Sequence, residues 1–142
     1  MTSGMDKNFN KTSLNKRDIE SINVLRRLGL EKKNIFFLGR KCSINNNQLY
    51  KNLNIALKTL LIFLKKINGF NIVYTHALEG GHEDHDACNY LVKVLNRKFN
   101  FFNKCYQFPA YHGKNLPYIF FRVLSPISEN GKIYKKKYIF SD

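Results

Sequence analysis

Residues 75–86 read Thr-His-Ala-Leu-Glu-Gly-Gly-His-Glu-Asp-His-Asp, and the rest of the chain is organised around this stretch. It holds three of the protein's four histidines, four carboxylates and a Gly-Gly pair. A short apolar run precedes it, and a run with apolar residues at helical spacing follows it. A polar, histidine-rich turn between a strand and a helix is typical of an active-site loop. We therefore take residues 75–86 as the candidate site.

The two histidines at the end of this stretch favour metal or acid–base chemistry. If a helix begins near His82, then His82 and His85 lie on one face of its first turn. Imidazole is a common metal ligand, and a carboxylate that accepts its second N–H fixes the tautomer. Asp84 and Asp86 are placed to be such partners. The pair Gly80–Gly81 allows positive φ angles and leaves room for a substrate beside the turn.

The same residues also have a purely structural explanation. The dipole and the free N–H groups of a helix N-terminus attract acidic side chains, so Glu83, Asp84 and Asp86 could act only as first-turn caps. A catalytic zinc site usually has three protein ligands and one open position. The two histidines of this turn therefore cannot complete such a site by themselves.

The run from Glu79 to Ala87, Glu-Gly-Gly-His-Glu-Asp-His-Asp-Ala, resembles the second signature of the PIG-L/LmbE-like zinc-dependent N-deacetylases, E-G-G-H-P-D-H-D-A. Glu83 replaces the proline of that signature. Proline suits the first turn of a helix and is not a reacting group, so we expect the replacement to be tolerated.

Shorter matches extend the resemblance from Thr2 to about Gly113. The family's first signature, His-Pro-Asp-Asp-Glu, occurs nowhere in the sequence. We therefore expect a single domain of this family over residues 1–142, incomplete at its N-terminus. The matching segments are Thr2–Gly4, Arg17 with Glu20, Leu28–Gly29 and Phe37–Gly39.

The resemblance implies roles for individual residues. His85 is a zinc ligand, His82 is the acid or oxyanion-stabilising group, and Asp84 orients His82. The other zinc ligands and the general base belong to the missing first signature. The implied reaction is zinc-dependent hydrolysis of the N-acetyl group of an N-acetylglucosamine-type sugar conjugate. Three further residues are assigned to substrate binding: Glu79, His76 and His112.

The net charge suggests an alternative. The chain has 24 basic and 10 acidic residues, a formal charge of +14, which favours an acidic partner. The basic residues are spread from Lys7 to Lys137 without a recognisable nucleic-acid-binding motif, so we do not expect specific nucleic-acid binding. The alternative function is a non-catalytic basic remnant of the fold that binds acidic glycans or nucleic acid.

Two other features limit the class of protein. No apolar run reaches the roughly 20 residues of a transmembrane helix, and no secretory signal pattern is visible, so we expect a cytoplasmic protein. Three widely spaced cysteines argue against a disulfide framework. These are Cys42, Cys88 and Cys105.

Apolar spacing predicts an α/β fold, a Rossmann-like three-layer sandwich with a mostly parallel sheet that lacks its first strands and ends in a C-terminal β-hairpin. Ligands in such sheets bind beyond the carboxyl ends of the strands, where residues 75–82 fall. The predicted helices are Ser13–Leu28 stopped by Gly29, Gln48–Ile67 stopped by Asn68–Gly69, and one that begins near His82. The predicted strands are Asn34–Leu38, Phe70–Tyr74, Cys105–Phe108, Tyr118–Leu124 and Lys132–Phe140.

Overall fold

A computed structural model of the chain describes residues 11–67, 70–112, 117 and 122–125. Its first helix, α1, spans Lys11–Arg27 and confirms the predicted N-terminal helix. Gly29 follows with a φ of 88°, and the Leu30 N–H donates to the Leu25 carbonyl at 3.0 Å. Glycine adopts positive φ without steric cost, so it stops the helix as expected.

The apolar run Asn34–Leu38 does not form a strand, and that prediction was wrong. Asn34 ends a 3₁₀ turn that begins at Lys32, Ile35 and Phe37 are extended, and the chain then enters a short helix, α2 (Leu38–Cys42). An extended segment becomes a strand only when another strand pairs with it, and no strand of the described part pairs with this run. The run packs through its side chains instead, because the Phe36 and Phe63 rings stack with centroids 4.0 Å apart.

A long helix follows a polar connection. After a 3₁₀ turn at Tyr50–Asn52, α3 spans Leu53–Leu64, and together they cover most of the helix predicted from Gln48. The predicted stop at Asn68–Gly69 lies outside the described residues. Fully burying an aliphatic side chain stabilises the fold by roughly 1.5–3 kcal/mol, and α2, α3 and the following helix share one apolar cluster. Its buried members are Leu38, Ile44, Leu49, Ala56, Ala87 and Leu91.

The site is positioned by two parallel strands, β1 (Phe70–His76) and β2 (Phe102–Phe108), joined by a helix, α4 (Glu83–Phe99). Parallel neighbours require such a crossover connection. The predicted strands and the helix near His82 are confirmed, and both strands extend beyond their predicted bounds. His76 lies opposite Phe108 in the register, so both strands end at the same edge of the sheet.

A second, antiparallel pair consists of β3 (Tyr111–His112) and β4 (Arg122–Val123). β4 lies within the predicted strand Tyr118–Leu124. The C-terminal hairpin partner, Lys132–Phe140, lies outside the described residues, as does the matched segment Thr2–Gly4. The described chain is thus mixed α/β, with one parallel and one antiparallel strand pair. No helix in its described part is both long and apolar enough to cross a bilayer.

Candidate functional site

The histidine turn, defined here as residues 77–82, connects the end of β1 to the start of α4. The Ala77 N–H donates to the Phe108 carbonyl at 2.9 Å, which extends the strand pair by one residue before the chain turns away. The turn therefore lies at the carboxyl-end edge of the parallel pair. Open α/β sheets bind ligands at this edge.

Two carboxylates hold the histidine turn in place. Asp86 accepts the N–H groups of Glu79 and Gly80, one on each oxygen and both at 2.9 Å. Glu79 Oε2 accepts the N–H groups of Ala110 at 2.8 Å and Tyr111 at 3.3 Å. Hydrogen bonds to charged groups stabilise a fold by about 1.5–3 kcal/mol each. The first pair fastens the turn to α4, and the second fastens it to the chain after β2.

The two glycines of the turn have different reasons to be glycine. Gly80 has a φ of 68°, as its sequence position predicts, and a Cβ there would meet open space. A Cβ on Gly81 would overlap the carbonyl oxygen of Tyr111. The space beside Gly81 is therefore filled by the backbone of β3, where the sequence suggested room for a substrate.

We expect Gly81→Ala to destabilise the protein by about 3 kcal/mol, because the new methyl group must displace the backbone at Tyr111. Gly80→Ala should cost only about 1 kcal/mol, since it adds left-handed strain without a clash. The free energy of unfolding of the two variants in urea checks this. Equal losses, or a larger loss for Gly80→Ala, would show that the turn does not pack on β3 as described.

The structure brings together three of the predicted site histidines. The His76 and His85 rings are parallel within 1°, with centroids 4.0 Å apart. The His82 ring also stacks on His85, at a centroid distance of 4.5 Å. Tyr111 presents its ring edge to His85 at a centroid distance of 5.6 Å. The backbone of Tyr111 is held beside the site by its N–H, which donates to Glu79 Oε2.

The backbone of α4 sets the tautomer of His82. His82 is the N-cap of α4, and its Nδ1 accepts the N–H of Asp84 at 3.1 Å. A ring nitrogen that accepts a hydrogen bond carries no proton, so the proton of the neutral ring is on Nε2. His82 thus offers an N–H donor at the edge of the three-ring stack. This capping role was not predicted, although the helix start was.

Asp84 lies in the first turn of α4 and is buried. Its side chain is 5% exposed, and its Oδ1 accepts the Leu49 N–H at 2.8 Å. Its Oδ2 is buried without a hydrogen-bond partner in the described part of the chain. We expected Asp84 and Asp86 to accept imidazole N–H groups, but both aspartates accept backbone N–H groups instead. A backbone donor taken out of water requires an acceptor, and these carboxylates supply it.

Asn89 connects α4 to both parallel strands and was missed by the sequence analysis. Its side chain is 1% exposed, and its Nδ2 donates to the His76 carbonyl at 2.7 Å and to Gln107 Oε1 at 3.0 Å. It therefore fixes the point at which β1 ends and the histidine turn begins. A single asparagine in an amphipathic helix carries no sequence signal of such a contact.

His112, predicted to bind substrate, lies in β3 next to Tyr111. Its side chain is 3% exposed, and its Nε2 lies 3.1 Å from the Ser125 carbonyl. Since a carbonyl only accepts, Nε2 carries a proton and donates. This contact connects β3 to the end of β4. The substrate-binding role of His112 stays a prediction.

The surroundings of His76 and His85 favour their neutral forms. Burial lowers the pKa of His76 below its ordinary value of 6.5, and the neighbouring His85 lowers it further. Burial and the adjacent His82 likewise lower the pKa of His85, while Glu79 opposes both shifts. Burial, followed by the charges of nearby glutamates, raises the pKa of Tyr111. The lowered pKa values of His76 and His85 favour their neutral imidazoles, and the raised pKa of Tyr111 favours its neutral phenol.

These shifts predict how stability depends on pH. Folding lowers the pKa of His76 and His85, so the unfolded chain binds more protons than the folded chain once the pH falls below about 6.5. The free energy of unfolding therefore decreases as the pH falls from there to the lowered pKa values of the folded state. We expect this free energy to rise between pH 5 and pH 7.5, measured in urea with a chelator present. A double variant, His76→Gln with His85→Gln, should have a flatter dependence. An unchanged slope in that variant would contradict the assigned shifts.

The described side chains, as arranged, do not form a complete zinc site. A zinc–imidazole bond is about 2.0–2.1 Å long and points along the nitrogen lone pair, in the ring plane. The parallel rings of His76 and His85 hold their lone pairs in separate planes, so they cannot share one ion. Among the residues described, no three His, Cys, Asp or Glu side chains are grouped to hold a metal. His85 thus offers a single imidazole ligand.

Comparison of the chain with protein-family models, with curated proteins and with solved structures finds no match. The likeness to the N-deacetylases accordingly depends on the signature at residues 79–87 and on the shorter matching segments around it. What that likeness implies about activity is developed as a proposal below.

Proposed function

We propose that the histidine turn and the first turn of α4 form the histidine half of a zinc-dependent de-N-acetylase site. The substrate is an N-acetylglucosamine-type sugar conjugate, and the products are acetate and the free amine. The main support is the geometry of His82, whose Nδ1 accepts a helix N–H and leaves a donor on Nε2 beside two uncharged imidazoles. The signature at residues 79–87 supports the same reaction.

His82 acts in this proposal as a hydrogen-bond donor to the oxyanion. Attack of water on the acetyl carbonyl develops negative charge on its oxygen, and a fixed donor lowers the energy of that state. The Nδ1 of His82 accepts a backbone N–H, which only an unprotonated ring nitrogen can do. An imidazolium could not accept this bond, so the arrangement suits a neutral hydrogen-bond donor better than an imidazolium acid. Asp84 acts indirectly, by anchoring the helix start whose N–H orients the ring.

Substrate recognition is proposed for side chains around the stack. His76 Nδ1 and Glu79 Oε1 are buried and have no hydrogen-bond partner among the described residues. Buried polar atoms without partners are costly, so these two are suited to hydroxyl or amide groups of a bound sugar. His112 stays in the proposed set because it lies next to Tyr111, whose ring edge meets the stack.

His85 is the proposed zinc ligand within this chain. When bound, zinc provides a water that is acidic enough to ionise at neutral pH and polarises the carbonyl. The remaining ligands lie outside the described side chains, since a stacked pair of rings supplies one imidazole to an ion.

The proposed fold context is a Rossmann-like three-layer sandwich. The crossover unit β1–α4–β2 is one repeating element of such folds.

The proposal is tested by amine release from an N-acetylglucosamine conjugate, using protein purified from its native source. We expect release that a chelator abolishes and added zinc restores. Release that is insensitive to chelation would contradict the metal-dependent mechanism. No release in the presence of zinc would contradict the enzyme proposal and favour the non-catalytic basic protein.

A further inference from the structure

A concave surface, here called the basic cleft, lies between the start of α3 and α4. Its volume is about 920 Å³, and it is lined by residues between Tyr50 and Leu57 and between Tyr90 and Lys98. The histidine turn lies at the first turn of α4, whereas Arg97 and Lys98 are in its last turn. The basic cleft is therefore separate from the proposed catalytic site.

The lining of the basic cleft has one sign of charge. Lys51, Arg97 and Lys98 all line it, and no carboxylate is present among its described lining residues. Arg97 and Lys98 also complement the negative end of the α4 dipole. The Nζ of Lys51 lies 5.3 Å from the Tyr50 ring centroid. A concave surface with only positive charge concentrates anions.

Two exposed tyrosines accompany these cations. Tyr50 is 39% exposed and Tyr90 is 53% exposed, although both line the cleft. The floor between them is apolar, with Leu53, Leu57 and Leu91 among its residues. Exposed aromatic rings next to cations suit a ligand that combines uncharged planar rings with negatively charged groups.

We propose that the basic cleft binds single-stranded nucleic acid, with bases stacked on Tyr50 and Tyr90 and phosphates beside Lys51, Arg97 and Lys98. An acidic glycan would satisfy the cations but has no planar base for the tyrosines. Sequence analysis does not predict this site, because its two sides are far apart in the chain and match no nucleic-acid-binding motif. This inference is independent of the proposed deacetylase function.

Fluorescence anisotropy with the full chain and labelled oligo(dT) or oligo(U) of about 12 nucleotides tests the proposal. We expect the oligonucleotides to bind at least tenfold more tightly than an abasic strand of equal length. Tyr90→Ala should weaken binding by roughly five- to 100-fold, and Tyr90→Phe should retain it, because stacking needs only the ring. Equal affinity for the abasic strand or for heparin would overturn the proposal in favour of a general polyanion site.

A matched pair of charge variants separates the cleft from the overall charge. The plot of log affinity against log salt has a negative slope, and each phosphate contact on a single strand contributes about 0.7 to its magnitude. Arg97→Ala with Lys98→Ala should therefore reduce that magnitude by about 1.4. Lys65→Ala with Lys66→Ala removes the same charge from another exposed helix end and should leave the slope nearly unchanged. Equal effects of the two double variants, or no binding at low salt, would overturn the proposal. Circular dichroism confirms that both variants fold.

Discussion

Replacing His82 by asparagine should lower kcat for amine release by about 100- to 1,000-fold while leaving the fold and KM nearly unchanged. Removal of one oxyanion donor costs a rate factor of this size in other hydrolases. Asparagine is one of the best N-cap residues, so α4 keeps its cap when the imidazole is lost. The variant therefore separates the chemistry of His82 from its structural role.

The control for this measurement is Glu83→Pro. Glu83 is exposed at the first position of α4, where proline is favoured and where the resembled signature has proline. We expect kcat to be unchanged in this variant. Steady-state kinetics and urea unfolding are measured for both proteins. A His82→Asn variant that keeps kcat within threefold of the unmodified protein would eliminate His82 as an oxyanion donor.

Replacing Asp84 by alanine should lower the free energy of unfolding by about 3 kcal/mol. Its Oδ1 accepts the Leu49 N–H at 2.8 Å, and Leu49 itself is 2% exposed. Alanine would leave this buried donor without a partner, and burial of an unsatisfied polar group that had a charged acceptor carries a cost of this order. The loss would also release the chain before α3 from the start of α4.

Glu83→Ala is the matched control for Asp84. It removes the same charge from the same helix turn, but its side chain is exposed, so only the dipole contribution of about 0.3–1 kcal/mol is lost. Urea denaturation of both variants gives the comparison. If the two variants lose equal stability, the Asp84–Leu49 hydrogen bond is not what holds these segments together.

The elements that could be predicted are those with a local signal. The helical spacing of apolar residues identified α1, α3 and α4, and the β-prone runs that precede and follow α4 identified β1 and β2. Gly29 marked a helix end because positive φ favours glycine strongly. The prediction of a strand at Asn34–Leu38 was wrong, since a short apolar run becomes a strand only if a partner strand lies beside it. Its sequence contains no information about that partner.

The candidate site divides in the same way. The position of the turn, the three histidines in and beside it and the positive φ of Gly80 followed from sequence order alone. The hydrogen bond from Leu49 to Asp84 joins residues 35 positions apart, and the bond from Ala110 to Glu79 joins residues 31 positions apart. Such contacts depend on how helices and strands pack. The sequence therefore suggested imidazole partners for carboxylates that in fact bind backbone N–H groups.

The zinc content of the protein purified from its native source is the most direct test of the proposed site. We predict one zinc ion per chain in the unmodified protein and none in His85→Ala, because that variant removes the only ligand assigned to this chain. His112→Ala, which alters the histidine bound to Ser125, should retain the metal. Retained zinc in His85→Ala, or no zinc in the unmodified protein, would contradict the assignment of the histidine turn to a zinc-dependent deacetylase.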